Sequence, residues 1–300
     1  MKPRTSPFIE SLPLVMLIAP ALFFVQACPF TGPSHTMCIY KPMACPGKKL
    51  LRSGGVTMEQ RHIIVHMHNK FRAVVARGQE HGLPAASDMR QLSWDEELAE
   101  IAQRWADQCM DGHDQNRNVE RFAVGQNVAI AWTFNREDNL RDEPDWETQV
   151  KAWYDEYKRV GFNRNHLHPF KFKYSAGHFS QVVWGDTYKV GCGYTYYYER
   201  IRGFSKIYVC NYGPGGNVID GTMYQPTHKP LCSTHGLRPS VKYYGLCEED
   251  EDNLHAMIMM VMAMMHEMTT NPHFTNVYLN DHSPSFSFHG SRYRRSRKAK

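Results

Sequence analysis

Apolar residues recur at helical spacing through the stretch 53–78. The sequence SGGVTMEQRHIIVHMHNKFRAVVARG places them every three to four positions, which predicts a helix with one buried face. Thr57 and Gln60 have the spacing of a capping box, so we expect the helix to open there. Its apolar stripe consists of Ile63, Ile64, Met67, Phe71, Val74 and Val75.

Two further helices are predicted before residue 161. The second follows Ser93 and Glu96, which form another capping-box pattern, and the third covers the stretch 146–160. Both stretches again repeat their apolar residues at a spacing of three to four. The second stripe is Leu98, Ile101, Ala102, Trp105, Ala106 and Cys109, and the third is Trp146, Val150, Trp153, Tyr154 and Tyr157.

Strand patterns come later in the chain. The stretches 178–184, 189–199 and 206–213 are rich in Val, Ile, Tyr and Phe, and residues typical of turns separate them. Helices followed by antiparallel strands predict an α+β fold rather than a parallel sheet. Cys192 and Cys210 fall on neighbouring strands of a predicted hairpin, so a bridge between them is plausible.

The first 27 residues have the pattern of a secretory signal peptide. Lys2 and Arg4 precede an apolar core, and small residues end the segment, so we expect a mature chain that begins near Cys28. The apolar core is shorter than the roughly 20 residues that a membrane-spanning helix needs, and no transmembrane segment is predicted. The protein is therefore expected to be secreted into an oxidising, extracellular environment.

Eight cysteines follow the predicted cleavage point. An even number in an oxidising compartment predicts four disulfides, although eight cysteines allow 105 connectivities and spacing does not choose among them. The cysteines are Cys28, Cys38, Cys45, Cys109, Cys192, Cys210, Cys232 and Cys247.

Positive charge is concentrated at the carboxyl terminus. The chain has a formal net charge of +5, which becomes +4 without the leader, and the sequence SRYRRSRKAK at 291–300 holds six basic residues and no acid. The rest of the mature chain is then at −2. We expect the segment 272–300 to be a disordered, solubilising tail; the alternative is a tail that binds sulfated glycans or anionic membranes. Nucleic acid is not an expected partner, because the chain has no nucleic-acid motif.

Seven methionines occur in the stretch 253–271, NLHAMIMMVMAMMHEMTTN. Acidic residues precede this stretch, as suits a helix amino terminus, and we expect a helix that packs on the body of the protein. The alternative is a flexible apolar face that meets varied partners or lipid.

Two long motifs resemble signatures of a known family. The sequences GHFSQVVW at 177–184 and YVCNYGPGGNVIDGTMYQ at 208–225 are similar to the two signatures of the CAP superfamily, which includes cysteine-rich secretory proteins, antigen 5 allergens and pathogenesis-related proteins. HNKFR, VGQNVA and WYDE occur in the matching order. The resemblance implies an α-β-α sandwich with a central antiparallel sheet, stabilised by disulfides. The implied divisions are 1–27, 28–57, 58–226 (the CAP domain), 227–252, 253–271 and 272–300.

Within the superfamily the chain most resembles the insect antigen 5 group. That group has one more cysteine in its amino-terminal segment, and Asn116 stands here at the position of the partner cysteine. The resemblance implies the pairs Cys28–Cys38, Cys45–Cys109 and Cys192–Cys210, which leaves Cys232–Cys247 as a carboxy-terminal bridge.

The resemblance also implies a central cleft. Two histidines and two acids converge there in the family, and some members bind zinc or another divalent cation. The corresponding residues here are His113, His178, Glu156 and, in place of the second acid, Gln126. The first three are candidate zinc ligands, whereas a neutral amide is a poor ligand and cannot act as a general base.

His178 has a second interpretation. A histidine that opens a strand beside aromatic residues is more often a hydrogen-bonded structural residue than a ligand. No nucleophile lies in a recognisable activation motif, so we expect a protein that is not an enzyme and requires no cofactor. The predicted function is binding of a sterol or other lipid, a small amine, or a cell-surface protein. The alternatives are a metal-dependent hydrolase that uses the cleft and an adhesin that binds glycans or membranes through the tail.

Overall fold

A five-stranded sheet with helices on both faces forms the centre of the described part of the chain. The structure is a computed structural model, and it describes residues 28, 30–134, 142–234, 236–250, 258–259 and 261–266. The helices are α1 (Thr36–Ile39), α2 (Met58–Ala76), α3 (Glu96–Ala106), α4 (Trp146–Tyr154), α5 (Glu156–Val160) and α6 (Gly177–Val182), with 3-10 turns at Arg164–His166 and Tyr174–Ala176. The strands are β1 (Lys49–Arg52), β2 (Ala85–Ser87), β3 (Ser93–Trp94), β4 (Gly125–Thr133), β5 (Lys189–Glu199), β6 (Gly203–Gly213), β7 (Gln225–Thr227), β8 (Leu237–Pro239) and β9 (Cys247–Glu249).

The central sheet has the strand order β1-β5-β6-β4, and all three of these pairings are antiparallel. The short strand β3 pairs with β5 in parallel. Because side chains alternate along a strand, Ile207 and Val209 of β6 pack towards α3, whereas Tyr208 and Tyr212 pack towards α2, α4 and α6. The predicted α-β-α sandwich with a central antiparallel sheet is confirmed.

Helix α3 approaches β5 closely at two glycines. A Cβ atom at Gly191 would lie 2.3 Å from the backbone nitrogen of Ala99, and one at Gly193 would lie 2.4 Å from the backbone of Gln103. A side chain at either position would therefore push α3 away from the sheet.

The first helix forms as predicted, with the Thr57 and Gln60 capping box in place. The second helix starts later than the Ser93 and Glu96 pattern indicated. Its N-cap is Asp95, whose carboxylate accepts a hydrogen bond from the backbone N–H of Leu98, and Ser93 lies in β3 instead. The third predicted helix is divided in two at Asp155, which ends α4 and precedes α5.

The prediction of a strand at 178–184 is wrong, because these residues form most of α6 and the turn that follows it. Phe179, Val182 and Val183 are all fully buried and are spaced at i, i+3 and i+4, which is a helical repeat. One outer strand of the sheet is instead β4, which the sequence analysis did not predict. Only part of this strand is buried, so its alternation is weak.

Four disulfides link the cysteines in the pairs that the resemblance implies. They are Cys28–Cys38, Cys45–Cys109, Cys192–Cys210 and Cys232–Cys247. Cys192 and Cys210 are directly opposite each other on β5 and β6.

Hydrogen bonds occupy the place of the family's additional bridge. The side-chain amide of Asn116 donates to the hydroxyl of Ser34 over 3.3 Å. The backbone carbonyl of Asn116 accepts from the backbone N–H of Thr36 over 2.7 Å. The Thr36 hydroxyl also contacts the carboxylate of Asp114. The amino-terminal extension is thus attached to this loop without a covalent bond.

The segments at the ends of the chain are described only in part. Residues 258–259 and 261–266 of the methionine-rich stretch are helical, and all of them are exposed. The expectation that this helix packs on the body is therefore wrong for its described residues. The leader 1–27 and the tail 272–300 lie outside the described residues. Among those that are described, no helix combines the length and the apolar character needed to cross a membrane.

Candidate functional site

Two short helices bring Glu156 and His178 together. Glu156 is the first residue of α5, and His178 is the second residue of α6. The Nδ1–H group of His178 donates to Oε1 of Glu156 over 2.7 Å. Oε2 of the same carboxylate accepts the backbone N–H groups of His178 at 3.1 Å and Phe179 at 3.3 Å. Glu156 therefore fixes both the start of α6 and the orientation of the His178 ring.

His113 and Gln126 form the second pair of the site. His113 lies in the loop before β4, and its Nδ1–H group donates to Oε1 of Gln126 over 2.9 Å. The Gln126 amide donates onward to Oδ1 of Asn211 over 3.0 Å, and the Asn211 amide donates to the carbonyl of Leu98 over 3.2 Å. Surrounding protein lowers the pKa of His113, because it removes water from the charged ring; the hydrogen bond with Gln126 opposes this effect.

A cavity of about 590 Å³ connects the two pairs. All four predicted cleft residues line it, so the structure brings them to one place. The complete lining is His113, Gln126, Asn127, Glu156, Arg159, Val160, Phe172, Tyr174, Ser175, Gly177, His178 and Asn217.

The three predicted metal ligands do not form a three-ligand site. Catalytic zinc usually has three protein ligands. Both oxygens of Glu156 accept hydrogen bonds, and the Nε2 atoms of the two histidines have no hydrogen-bond partner among the described residues. Within the described ranges, no group of three His, Cys, Asp or Glu side chains is placed to hold a metal ion. Glu156 instead has the role of a carboxylate that orients a histidine.

Sequence reasoning missed several side chains of the cavity. Arg159 lies one turn after Glu156 and forms no hydrogen bond or ion pair with the described residues. Asn217 also lines the cavity, and its amide donates to the carbonyl of Gly177 over 2.9 Å. Position i+3 from a site residue on a helix is a usable signal for Arg159. Asn217 lies inside the second signature motif, so that motif was the available signal.

A buried polar network lies beneath the cavity. Asn127 donates to the hydroxyl of Tyr212 over 3.2 Å and to the backbone carbonyl of His178 over 3.2 Å. The Tyr212 hydroxyl donates to Nε2 of His68 over 2.9 Å, and Nδ1–H of His68 donates to the carbonyl of Ile64 over 2.8 Å. Both ring nitrogens of His68 are thus occupied.

Comparison with known proteins is consistent with this fold. The family model described as "Cysteine-rich secretory protein family" (CAP) matches residues 65–212. The chain is 39% identical to venom allergen 5 of Dolichovespula arenaria over 212 residues, which are 67% of this chain and 98% of that protein. The chain belongs to the CAP family.

Other CAP relatives are longer than the matched region. The chain is 40% identical to venom allergen 5 of Tityus serrulatus over 226 residues, which are 71% of this chain. The match spans only 52% of that protein, so the chain covers about half the length of this relative.

Solved structures include similar CAP folds. The structure of BmVAL-1 has a TM-score of 0.54 and 31% identity, and the match covers 69% of this chain and 98% of that one. The crystal structure of NaASP2 with Zn²⁺ has a TM-score of 0.54 and 27% identity, and the match covers 68% and 100% of the two chains.

Proposed function

We propose that this CAP protein is secreted and binds a small amphipathic anion in its central cavity, without catalysing a reaction. One observation carries the proposal. Both oxygens of the cavity's carboxylate, Glu156, accept hydrogen bonds, whereas the exposed guanidinium group of Arg159 has no partner among the described residues. The charged side chain of the cavity that is left to bind a ligand is therefore Arg159, and its charge is positive.

The remaining polar groups favour the same ligand class. The amides of Gln126 and Asn217 are held by neighbouring groups, whereas the hydroxyls of Ser175 and Tyr174 have no hydrogen-bond partner among the described residues. Together with Arg159 these hydroxyls provide donors that converge on a carboxylate, phosphate or sulfate group.

Apolar side chains provide the other half of the site. Phe172 and Val160 line the cavity, and the ring of Tyr174 is 93% exposed beside it. The volume of about 590 Å³ lies in the range of roughly 300–1,000 Å³ that small-molecule sites have. A molecule with an acidic head and a short apolar tail satisfies both halves.

The other predicted ligands fit less well. An amine needs a carboxylate to pair with, and the carboxylate of Glu156 already accepts three hydrogen bonds from His178 and Phe179. A sterol has no negative charge that could pair with Arg159.

A hydrolase would need a general base at Glu156 or at position 126. The carboxylate of Glu156 already accepts hydrogen bonds from His178, and residue 126 is an amide. The binding needs no metal, since the donors are already present. A glycan-binding tail stays a prediction, because 272–300 lies outside the described residues.

Secretion is supported by three features that agree. The predicted leader precedes the first cysteine, the described cysteines form disulfides, and the similar proteins include venom allergens. A chain with four disulfides is expected in an oxidising compartment.

The test uses a charged probe and its neutral analogue. We expect the full chain to bind dodecanoate more tightly than dodecanol in isothermal titration calorimetry. Arg159→Gln should weaken dodecanoate binding by about tenfold or more, because a hydrogen bond to a charged group contributes about 1.5–3 kcal/mol, and should leave dodecanol unchanged. Arg200→Gln, an exposed arginine in the β5–β6 turn, is the matched control. Equal affinity for the two probes, or equal effects of the two variants, would overturn the proposal.

A further inference from the structure

The rim of the cavity carries exposed apolar side chains on two chain segments. On one segment Phe172 and Tyr174 are 45% and 93% exposed. On the other, Val218 and Ile219 follow the cavity residue Asn217 and are 54% and 68% exposed. Single exposed apolar residues are common on protein surfaces, but four on two hydrogen-bonded segments beside one cavity form a patch of the kind that marks an interaction site. We call these four residues the apolar rim.

Hydrogen bonds hold the two segments of the apolar rim together. The backbone N–H of Phe170 donates to the carbonyl of Gly221 over 2.8 Å, and the N–H of Asp220 donates to the carbonyl of Phe170 over 3.2 Å. The ammonium group of Lys173 donates to the carbonyl of Val160 over 3.1 Å, which ties the same region to the end of α5. The apolar side chains therefore project from a braced surface.

Two of the four rim residues, Phe172 and Tyr174, lie in a basic segment of the chain. The segment 158–174 contains five basic residues and no acid. The mature chain without this segment and without residues 291–300 has a net charge of −7. Three acids lie near the rim: Glu156, which accepts from His178, Asp155, which is paired with Lys151 and Lys158, and Asp220, which has no ion pair with the described residues. The five basic residues are Lys158, Arg159, Arg164, Lys171 and Lys173.

We propose that the apolar rim and this basic segment dock the mouth of the cavity on an anionic phospholipid bilayer. Aromatic and aliphatic side chains beside cations match the boundary between acyl chains and negatively charged headgroups. A sulfated glycan would satisfy the charges but would leave the four apolar side chains exposed to water, so the bilayer is the better match. The docking surface does not depend on which molecule the cavity holds, and the two proposals can fail separately.

The first test removes apolar area at constant charge. The full chain should float with vesicles of phosphatidylcholine and phosphatidylserine. It should bind much more weakly to vesicles of phosphatidylcholine alone. Tyr174→Ser/Ile219→Ser should weaken binding to the mixed vesicles by about tenfold, since membrane affinity increases with buried apolar area. The matched control is Tyr244→Ser/Ile201→Ser, which removes the same residue types from positions that are 75% and 81% exposed elsewhere.

The second test changes charge at the rim. Lys171 is exposed, and each basic residue near an anionic membrane contributes about 1 kcal/mol, so Lys171→Glu should weaken vesicle binding by roughly tenfold or more at low salt. Lys70→Glu, on an exposed position of α2, is the control. The tail is present in every variant. If all variants bind like the wild type, the tail accounts for binding and the proposal is wrong. If only Lys171→Glu loses vesicle binding, and it loses heparin binding to the same extent, the surface binds a glycan. That result would also overturn the proposal.

Discussion

Two histidines on either side of Asn127 have opposite environments. His68 is completely buried, and both of its ring nitrogens are hydrogen-bonded. The His178 side chain is 32% exposed, and only its Nδ1 atom is bonded, to Glu156. The Asn127 amide donates to the backbone carbonyl of His178 and to the hydroxyl of Tyr212, which is itself hydrogen-bonded to His68. Hydrogen bonds through Asn127 therefore connect the two environments.

The comparison shows which polar groups are available for binding. Around His68, the side chains of Asn69 and Arg72 are also fully buried, and their polar groups bond to backbone groups. We call His68, Asn69 and Arg72 the buried polar face of α2. In the cleft, by contrast, Arg159 and the Nε2 atom of His178 have no partner among the described residues. Polar residues that are fully hydrogen-bonded hold the fold, whereas those with free atoms can meet a ligand.

The largest effect is expected from removing the guanidinium group of the buried polar face. Arg72→Met should lower the free energy of unfolding by about 4 kcal/mol or more, because buried carbonyl groups lose a charged donor and water cannot easily replace it. Chemical denaturation followed by Trp fluorescence measures the change. The acceptors are the carbonyls of Arg90, Val182, Trp184, Gly185 and Thr187.

Arg77→Gln is the control for this prediction. Arg77 follows the same helix, but it is partly exposed and bonds to Gln79 and the carbonyl of Tyr244. We expect a loss below about 1 kcal/mol. Similar losses in the two variants would contradict the structural role assigned to Arg72.

The second effect is a dependence of stability on pH. Burial lowers the pKa of His68 to about 4, and the positive charge of Arg72 adds to the effect. The unfolded chain binds this proton near pH 6.5, so the stability that neutral His68 provides is present above pH 6.5 and is lost as the pH falls towards 4. The loss is about 3 kcal/mol. Denaturation of the wild type and His68→Gln at pH 7 and pH 4 measures it.

The difference in the free energy of unfolding between pH 7 and pH 4 isolates His68 from other titrating groups. This difference should be about 3 kcal/mol smaller in His68→Gln and should stay unchanged in His62→Gln, an exposed position of the same helix. An unchanged pH dependence in His68→Gln would show that the ring is not kept neutral in the folded state.

The smallest effect concerns the cleft. Gln126→Glu places a carboxylate beside His113, and a negative charge at this distance should raise the pKa of His113 by about 1. NMR titration of the His113 ring measures the pKa in the wild type and the variant. Gln79→Glu, an exposed position, is the matched control and should leave it unchanged. No change in Gln126→Glu would mean that the His113–Gln126 hydrogen bond does not form in solution.

Local patterns predicted the parts of the fold that repeat. Helix α2 and its cap, the apolar stripe of α3 and the β5–β6 hairpin all follow from spacing. Helix α6 was assigned to a strand because a short apolar run suits either structure, and tertiary packing decides between them. Strand β4 was missed because its buried and exposed residues do not alternate regularly along the sequence. Pairing with β6 places it in the sheet.

The site was predictable only as a set of residues. The motifs identified His113, Gln126, Glu156 and His178 as neighbours, and all four line the cavity. Their roles depend on which atoms are already hydrogen-bonded, and that is a property of three-dimensional contacts. The hydrogen bonds of Glu156 show that it positions His178, and a metal-binding role for Glu156 stays a prediction.

The hydrogen bonds at Asn116 give the amino-terminal extension a reversible attachment. A covalent bridge at this place would open only by reduction, whereas hydrogen bonds break and reform through local unfolding. The bridge from Cys45 to Cys109 keeps the extension tethered while this happens. Opening of the contact at Asn116 therefore needs only thermal fluctuation, whereas the Cys28–Cys38 and Cys45–Cys109 bridges of the extension stay closed.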